Sequence, residues 1–243
     1  AVATLMIVSR NLGQEITPGP FTWVAPLVVY LSTFITSFGW PKWYSRVVVA
    51  FLLPVAWTAV FWLALPGGEW SLALHLAAQL FVLFVVGWTC HAELYRLRPE
   101  LEGLTSFYTS LAAGGVVGGL AVTVIAPLVF DRYWENLLVH IAAGGLFGWT
   151  CFVGDARRLA RRWTMALFAL MLAWTGLGLL HLQREKPLLG QVITRERNFF
   201  GVLSVLERQS DGRRERLMLH GETVHGLEAS DGPALCYYGL QSG

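Results

Sequence analysis

Apolar residues are grouped in six long runs that are separated by short polar segments. A helix needs roughly 20 apolar residues to cross a bilayer core of about 30 Å, and each run approaches or reaches that length. The runs predict six transmembrane helices, at residues 21–38, 47–65, 71–90, 106–130, 134–153 and 164–182. A shorter apolar run at 1–8 predicts the end of an earlier helix, so we expect the chain to be partial or processed at its N-terminus.

From Gln191 onward the pattern changes to the period of two that is typical of β-strands. Residues 200–206 alternate in this way, and the Asp-Gly pair at 211–212 favours a tight hairpin turn. The segments 216–220 and 223–227 predict a returning strand and a further short one. The predicted fold class is therefore a polytopic α-helical membrane protein with a small C-terminal antiparallel β-hairpin module.

These patterns divide the chain into three parts. Residues 1–20 are the end of a preceding helix and the loop that leads into the first span. Residues 21–182 form the six-span transmembrane domain, and residues 183–243 form the β-rich extramembrane module. Hairpins of this size cannot build a large hydrophobic core alone, so we expect the module to pack against something larger.

Composition and charge agree with a membrane protein. The chain is 55% hydrophobic and 14% charged, and its net charge of +2 comes without a basic stripe that would indicate nucleic acid. The loops after the first, third and fifth runs are rich in Lys and Arg, which places them on the cytoplasmic side of a bacterial inner membrane. Counting forward puts the C-terminal module in the periplasm, and a missed or re-entrant helix would reverse this.

Glycines follow one face of the fourth and fifth runs. Small residues four positions apart let helix backbones approach closely, which favours packing in lipid. The two runs are therefore predicted to form a tight hairpin, and the alternative is a substrate path lined by glycine. The glycines of this face are Gly114, Gly115, Gly118, Gly119, Gly144, Gly145 and Gly148.

Histidines are the candidate cofactor ligands within the runs. His75 and His140 are expected at matching depth, and His181 lies near the same end. Two neutral imidazoles on facing helices could bind a b-type haem iron or hydrogen-bond a quinone. The alternative is a polar contact with a backbone carbonyl or with a neighbour such as Gln79. The three cysteines are far apart and predict neither a disulfide framework nor a zinc site.

Several motifs occur in the order known from one family, and they extend over nearly the whole chain. In chain order they are Glu15-Ile16 with Pro20, Trp23, Val24, Pro26 and Leu27; Cys90-His91-Ala92-Glu93-Leu94 with Arg98-Pro99; Thr105-x-Phe107-Tyr108 and Ala126-Pro127-Leu128; Arg197-Asn198-Phe199-Phe200-Gly201-Val202-Leu203; His220-Gly221 with His225-Gly226; and Tyr237-Tyr238-Gly239. The chain resembles the membrane-bound spermidine-synthase-like proteins, in which a multi-span region precedes an aminopropyltransferase-like domain.

The resemblance implies a nucleotide-type fold that binds decarboxylated S-adenosylmethionine and an acidic residue that deprotonates the attacking amine. That chemistry needs a glycine-rich turn between a strand and a helix, and a catalytic Asp. The sequence shows neither, so the resemblance covers the multi-span region and the N-terminal β-hairpin module only. In soluble relatives this module closes over the substrate, and His220, His225 and Tyr238 match its substrate-contacting positions best.

Three functional hypotheses follow from these features. The first is a non-catalytic integral-membrane subunit or fragment, without a cofactor of its own, that packs against other membrane-protein subunits of a larger complex. The second is the membrane and substrate-lid portion of a longer aminopropyltransferase, with decarboxylated S-adenosylmethionine bound by a missing catalytic half. The third is a haem- or quinone-binding membrane subunit.

Overall fold

The structure is a computed structural model in which the chain forms two compact units. Unit 1 comprises residues 1–122 and 135–180, and unit 2 comprises residues 123–134 and 181–243. The residues described below are 1–15, 20–63, 70–153, 190–198, 200–210, 213–220 and 223–229, with five isolated positions between 162 and 173.

Unit 1 is built from long helices. They are α1 (Val2–Glu15), α2 (Pro20–Gly39), α3 (Arg46–Leu63), α4 (Leu72–Arg96), α5 (Leu104–Leu120) and α7 (Trp134–Val153), whose first residue belongs to unit 2. Short 3₁₀ turns at Pro41–Trp43 and Leu101–Gly103 precede α3 and α5. The hydroxyl of Ser71 caps the amino end of α4 by accepting a hydrogen bond from the Leu74 amide.

Helix α4 lies at the centre of unit 1, where α1, α2 and α3 pack against it. The core faces of the outer helices follow helical spacing: Leu5, Val8 and Leu12 share one side of α1. In the same way Leu53 and Trp57, four positions apart, face the core from α3. These faces close around α4, which buries 44% of its apolar segment and is the most enclosed of the long helices described.

Five of the described helical segments are long and apolar enough to cross a membrane. They match the first five predicted spans. The helix of the third span, α4, continues six residues beyond the predicted end at Cys90 and includes the charged residues Glu93 and Arg96. The initial helix is also longer than the predicted run at 1–8. The predicted span at 164–182 lies almost entirely outside the described residues.

The fourth predicted span is not one regular helix. A π-helical turn at Ala121–Ile125 separates α5 from the short helix α6 (Ala126–Val129), which belongs to unit 2. Pro127 follows this turn directly. Proline has no amide hydrogen, so a regular helix could not continue its hydrogen-bond ladder at that position.

Unit 2 contains a four-stranded antiparallel sheet in the order β1-β2-β3-β4. The strands are β1 (Gln191–Asn198), β2 (Gly201–Ser210), β3 (Arg213–His220) and β4 (Thr223–Ala229). The predicted start of the strand pattern at Gln191 is confirmed, and this first segment is a full strand. Strand β2 also continues to Ser210, and β3 begins at Arg213, three residues before the predicted returning strand. The Asp-Gly turn at 211–212 lies outside the described residues.

One face of the sheet holds a small hydrophobic core. Val192, Leu206, Leu217 and Leu227 lie opposite one another across the four strands, and Leu219 is buried beside them. At the turn between β1 and β2, Gly201 has a φ of 145°, a conformation that side chains rarely adopt. The Asn198 side-chain oxygen accepts hydrogen bonds from the backbone amides of Phe200 and Gly201 and so closes this turn.

Candidate functional site

A buried ion pair joins the ends of two consecutive helices in unit 1. Arg46 is the first residue of α3 and Glu93 lies in the last turn of α4, so the antiparallel pair of helices brings them together. Arg46 Nε and Nη2 donate to the two carboxylate oxygens of Glu93 at 2.7 and 2.6 Å. The side chains are only 17% and 7% exposed. This bidentate geometry is the strongest form of an Arg–carboxylate contact.

Tyr44 completes this cluster. Its hydroxyl donates to Glu93 Oε1 at 2.8 Å. Burial, and after it the negative charge of Glu93, raises the pKa of Tyr44 far above its usual value. The phenol therefore keeps its proton and remains a donor, so that Glu93 accepts three hydrogen bonds from two residues.

His91 occupies a second polar position, two residues before Glu93 on α4, and is 2% exposed. Its Nδ1 lies 3.0 Å from the Thr33 hydroxyl, whose own hydrogen is donated to the Tyr30 carbonyl at 2.7 Å. Thr33 can then only accept from His91, so Nδ1 carries the imidazole hydrogen. Tyr30 and Phe34 meet the ring edge-on at centroid distances of 5.0 and 5.3 Å.

Gly87 explains why α2 and α4 can come close enough for this contact. A β-carbon at this position would lie 2.8 Å from Thr33 Oγ1 and 3.4 Å from Thr33 Cγ2. Since the hydroxyl is held by hydrogen bonds to His91 and Tyr30, it has little freedom to move away. Glycine at this position is therefore a requirement of the helix contact.

A second ion pair ties α1 to the start of α7. Arg10 contacts the carboxylate of Glu135 and the side-chain oxygen of Asn136. Glu135 is 4% exposed. Arg10, in the second half of α1, is thereby joined to α7, which begins more than a hundred positions later in the chain.

His140 lies one turn further along α7, and its Nδ1 contacts the carbonyl oxygen of Asn136. The ring of Trp57 meets it edge-on with centroids 5.7 Å apart. Among the described residues, no hydrogen-bond partner is found for the buried His140 Nε2 or Trp57 Nε1. Because a carbonyl only accepts, His140 carries its hydrogen on Nδ1 when neutral, and Nε2 is the acceptor.

The structure gives His75 different surroundings. Its Nδ1 lies 3.4 Å from the Ser71 carbonyl and its Nε2 lies 3.2 Å from the Leu63 carbonyl. Contact with a backbone carbonyl was the alternative to haem or quinone binding that the sequence left open for these histidines. No group of three or more His, Cys, Asp or Glu side chains in the described ranges is arranged to hold a metal ion. Haem or quinone binding by His75 and His140 stays a prediction, and His181 lies outside the described residues.

Glycines of α5 pack against α1 in the described residues. Gly115 and Gly118 lie against this helix, with β-carbon positions 3.5 Å from Val2 Cγ2 and from the Ala3 amide nitrogen. Gly119 faces the same helix. Gly114 has no neighbouring atom within 4 Å of that position and is exposed. The tight hairpin of the fourth and fifth spans stays a prediction, and the helix that packs against α5 in the described residues is α1, which the sequence predicted only as the end of an earlier helix.

The glycines of α7 behave as packing residues. Gly144 and Gly148 are buried, four positions apart, on the face that also carries Phe147 and Cys151 into the hydrophobic core. Gly145 points to open space. Small residues therefore let α7 approach the core.

On the sheet, two of the three predicted substrate-contacting residues are close together. The rings of His220 and His225 have centroids 5.6 Å apart, and His220 Nε2 lies 3.2 Å from the Phe200 carbonyl. The bulge between Met218 and Leu219 brings the two imidazoles together. Tyr238 lies outside the described residues.

The same sheet carries a row of opposite charges across three strands. Glu207, Arg216 and Glu228 are direct register partners. With Arg214 they line a cavity of about 300 Å³. Arg216 Nε lies 3.8 Å from Glu207 Oε1, and the Arg216 side chain is 59% exposed. Two acids and two bases balance here, which is the pattern of a solvated cross-strand charge ladder.

The two buried ion pairs were missed as sites by sequence reasoning. Arg46 counted only among the basic residues of the loop after the first run, and Glu93 entered only as part of a motif. One sequence signal could have revealed these ion pairs: Glu135 lies within an apolar run and Glu93 lies beside one. An acidic residue at such a position needs a basic partner or a hydrogen-bond donor.

Comparison of the chain with protein-family models, curated proteins and solved structures found no match. The class of protein is therefore defined by the fold: a mainly helical chain whose described part includes five helices able to cross a membrane by length and composition, together with a small antiparallel sheet. The resemblance to spermidine-synthase-like proteins rests on the sequence motifs alone.

Proposed function

We propose that the chain is a non-catalytic integral-membrane subunit or fragment of spermidine-synthase-like origin that acts as an accessory component of a larger complex in the bacterial inner membrane. The observation that carries this proposal is the uncovered surface of the fourth span. Residues 101–129 bury only 11% of their apolar segment, against 44% for α4.

Lipid alone would also cover an apolar helix, so the kind of residue exposed matters. Ala112, Ala113 and Gly114 are consecutive exposed small residues in the middle of α5. Small side chains give lipid tails little to contact but let another helix approach its backbone. This favours a second protein helix as the neighbour of α5.

The polar groups inside unit 1 support a structural role. Glu93, Arg46 and His91 all use their hydrogen-bonding groups on other helices of the same unit. Such contacts hold a rigid body together. A rigid body with one uncovered face is what an accessory subunit offers to its partner.

The test is purification of the tagged chain from its native membrane in a mild detergent, followed by mass analysis of what accompanies it. Replacing Gly114→Leu should release a protein partner, because the side chain fills the approach surface. Gly145→Leu is the matched control, since Gly145 is another exposed glycine with open space around it. Retention of the same partners by Gly114→Leu, or equal loss in both variants, would contradict this docking face.

The lid function is the second candidate, and the pair of imidazoles favours it. His220 and His225 lie together on the sheet at positions that match substrate-contacting residues of the resembling family. Peptide mapping of the protein from its native membrane decides between the two. A native chain that continues into a glycine-rich turn and an acidic catalytic segment makes the enzyme the better interpretation.

A further inference from the structure

We propose that the turn after α6 and strand β1 form a binding site for the phosphate of an anionic membrane lipid, built from Arg132, Arg195 and Arg197. The site lies wholly within unit 2. It goes beyond the accessory role, since it concerns a ligand of the sheet and the turn and not a protein partner of α5.

The geometry brings the three arginines to one place. Arg195 and Arg197 are two positions apart on β1 and therefore point to the same face of the strand. Arg197 lies over the ring of Tyr133, with its guanidinium carbon 4.8 Å from the ring centroid, and it donates to the Arg132 carbonyl. Arg195 Nε donates to Ser204 Oγ at 3.1 Å, which fixes its orientation.

Among the described residues, Arg132 and Arg195 share one weakly held acid. Asp131 is the acid that faces the arginines in the described part of unit 2, and its oxygen is 4.0 Å from Arg132 Nε with both side chains more than half exposed. An ion pair of that kind contributes little. Burial, and after it the positive charge of Arg132, lowers the pKa of Arg195, while Asp131 acts in the opposite direction. Like charges are thus held close together.

A phosphate group can accept hydrogen bonds from these guanidinium groups and neutralise part of their charge. A guanidinium presents several N–H donors in a planar fork that matches two phosphate oxygens. Arg195 donates to Ser204 through Nε, and its Nη groups make no hydrogen bond with another described residue. One anion can therefore bridge Arg195 and Arg132 and relieve their repulsion.

The neighbours of the site identify the source as a lipid. Leu128 and Val129 at the end of α6 are 81% and 66% exposed. Tyr133 and Trp134 follow directly, and such aromatic residues mark the level of the headgroups in a bilayer. Exposed aliphatic side chains on one side and arginines on the other match a phospholipid, with its tails and its phosphate.

The test uses the purified full chain in detergent with water-soluble short-chain lipids, and native mass spectrometry measures the bound fraction. The probes are dioctanoyl phosphatidylglycerol, dioctanoyl phosphatidylcholine and inorganic phosphate. Phosphatidylglycerol should bind most tightly. Arg195→Gln and Arg132→Gln should each weaken that binding about tenfold, the factor expected for one charge-assisted hydrogen bond.

Arg214→Gln is the matched control, since it removes the same charge from an exposed position on β3. It should leave lipid binding unchanged. Arg195→Lys keeps the charge without the fork and should fall between the wild type and Arg195→Gln, which separates loss of the site from loss of the fold. Arg197 is left intact because it holds the turn against the strand.

Three results would overturn the proposal. The first is equal phosphatidylglycerol binding by the wild type and by both glutamine variants. The second is equal binding of phosphatidylglycerol and phosphatidylcholine, because the site would then not distinguish an anionic lipid from a zwitterionic one. The third is displacement of phosphatidylglycerol by inorganic phosphate at a concentration equal to that of the lipid, because the site would then bind free phosphate.

Discussion

At the scale of single residues, the carboxylate of Glu93 connects α4 to residues at and just before the start of α3. It accepts hydrogen bonds from Arg46 and Tyr44, which lie 47 and 49 positions earlier in the chain. Removing one partner of a buried pair costs more than the pair contributes, because the remaining charge keeps its desolvation penalty.

Glu93→Gln should therefore destabilise unit 1 by about 3 kcal/mol. Glutamine keeps the shape but leaves the Arg46 guanidinium buried without a counter-charge. Unfolding of the purified chain by added sodium dodecyl sulfate, followed by tryptophan fluorescence, measures the change. Glu102→Gln, at an exposed position of the same unit, is the control and should change stability by no more than about 0.5 kcal/mol. Equal effects of the two variants would show that the ion pair is unimportant.

Gly87→Ala should destabilise the contact between α2 and α4 by about 1 to 3 kcal/mol, because the new methyl group would meet the Thr33 hydroxyl. The same substitution at Gly114 meets no atom within 4 Å. It should be neutral or stabilising by up to about 1 kcal/mol, since alanine favours helix more than glycine. The thermal midpoints of the two variants measure this difference, and a loss of equal size in both would rule out the steric explanation.

Sequence reasoning was weakest at this scale. Haem or quinone binding by His75 and His140 rested on matching depth along two runs, and depth says nothing about the direction in which a side chain points. That binding stays a prediction, and each imidazole contacts a backbone carbonyl in or next to its own helix. The partners of Glu93 and Glu135 depend on helix packing, which hydropathy does not contain.

At the scale of elements, the apolar runs predicted helix positions well. The first five predicted spans correspond to helices because the length of an apolar run is itself the signal. The π-helical turn at Ala121–Ile125 was not predicted, since it depends on local backbone geometry. The contact of α5 with α1 was not predicted either, since the run at 1–8 indicated only the end of an earlier helix and its packing partner is not written in hydropathy.

The contacts of β1 bear on membrane topology. Within unit 2, Arg197 lies against Tyr133 and the Arg132 carbonyl, so the sheet adjoins the turn between the fourth and fifth spans. In the proposed membrane setting, turn and sheet lie on the same side, and a chain that crosses once through α7 needs a second crossing before β1. The span predicted at 164–182 would supply it; it lies almost entirely outside the described residues and stays a prediction.

Impermeant thiol labelling of intact cells tests this topology. On a background without Cys90, Cys151 and Cys236, the variants Asp131→Cys and Ser210→Cys should both be labelled from outside. Glu100→Cys, in the loop that follows α4, should be protected until the cells are permeabilised. Opposite results for positions 131 and 210 would contradict the sixth crossing.

At the scale of the whole molecule, we expect no aminopropyl transfer. The purified protein ending at Gly243, supplied with decarboxylated S-adenosylmethionine and an amine acceptor, should form no product above a blank without protein. The physical reason is that residues 1–243 show neither the glycine-rich turn nor the catalytic acid that this reaction needs. A soluble spermidine synthase in the same detergent serves as the positive control, and measurable transfer by the chain would refute the non-catalytic role.

The order in which the two buried pairs are synthesised has a consequence for biogenesis. Arg46 leaves the ribosome 47 residues before Glu93, and Arg10 leaves it 125 residues before Glu135. At translation rates of about 5 to 20 residues per second, the first arginine waits roughly 2 to 10 s and the second roughly 6 to 25 s. In both pairs the cation is made before its carboxylate and lacks this partner during the interval. In the proposed membrane setting, completion of the α3 insertion would depend on α4 and that of α1 on α7, so a nascent chain that stalls in between would present an unneutralised arginine.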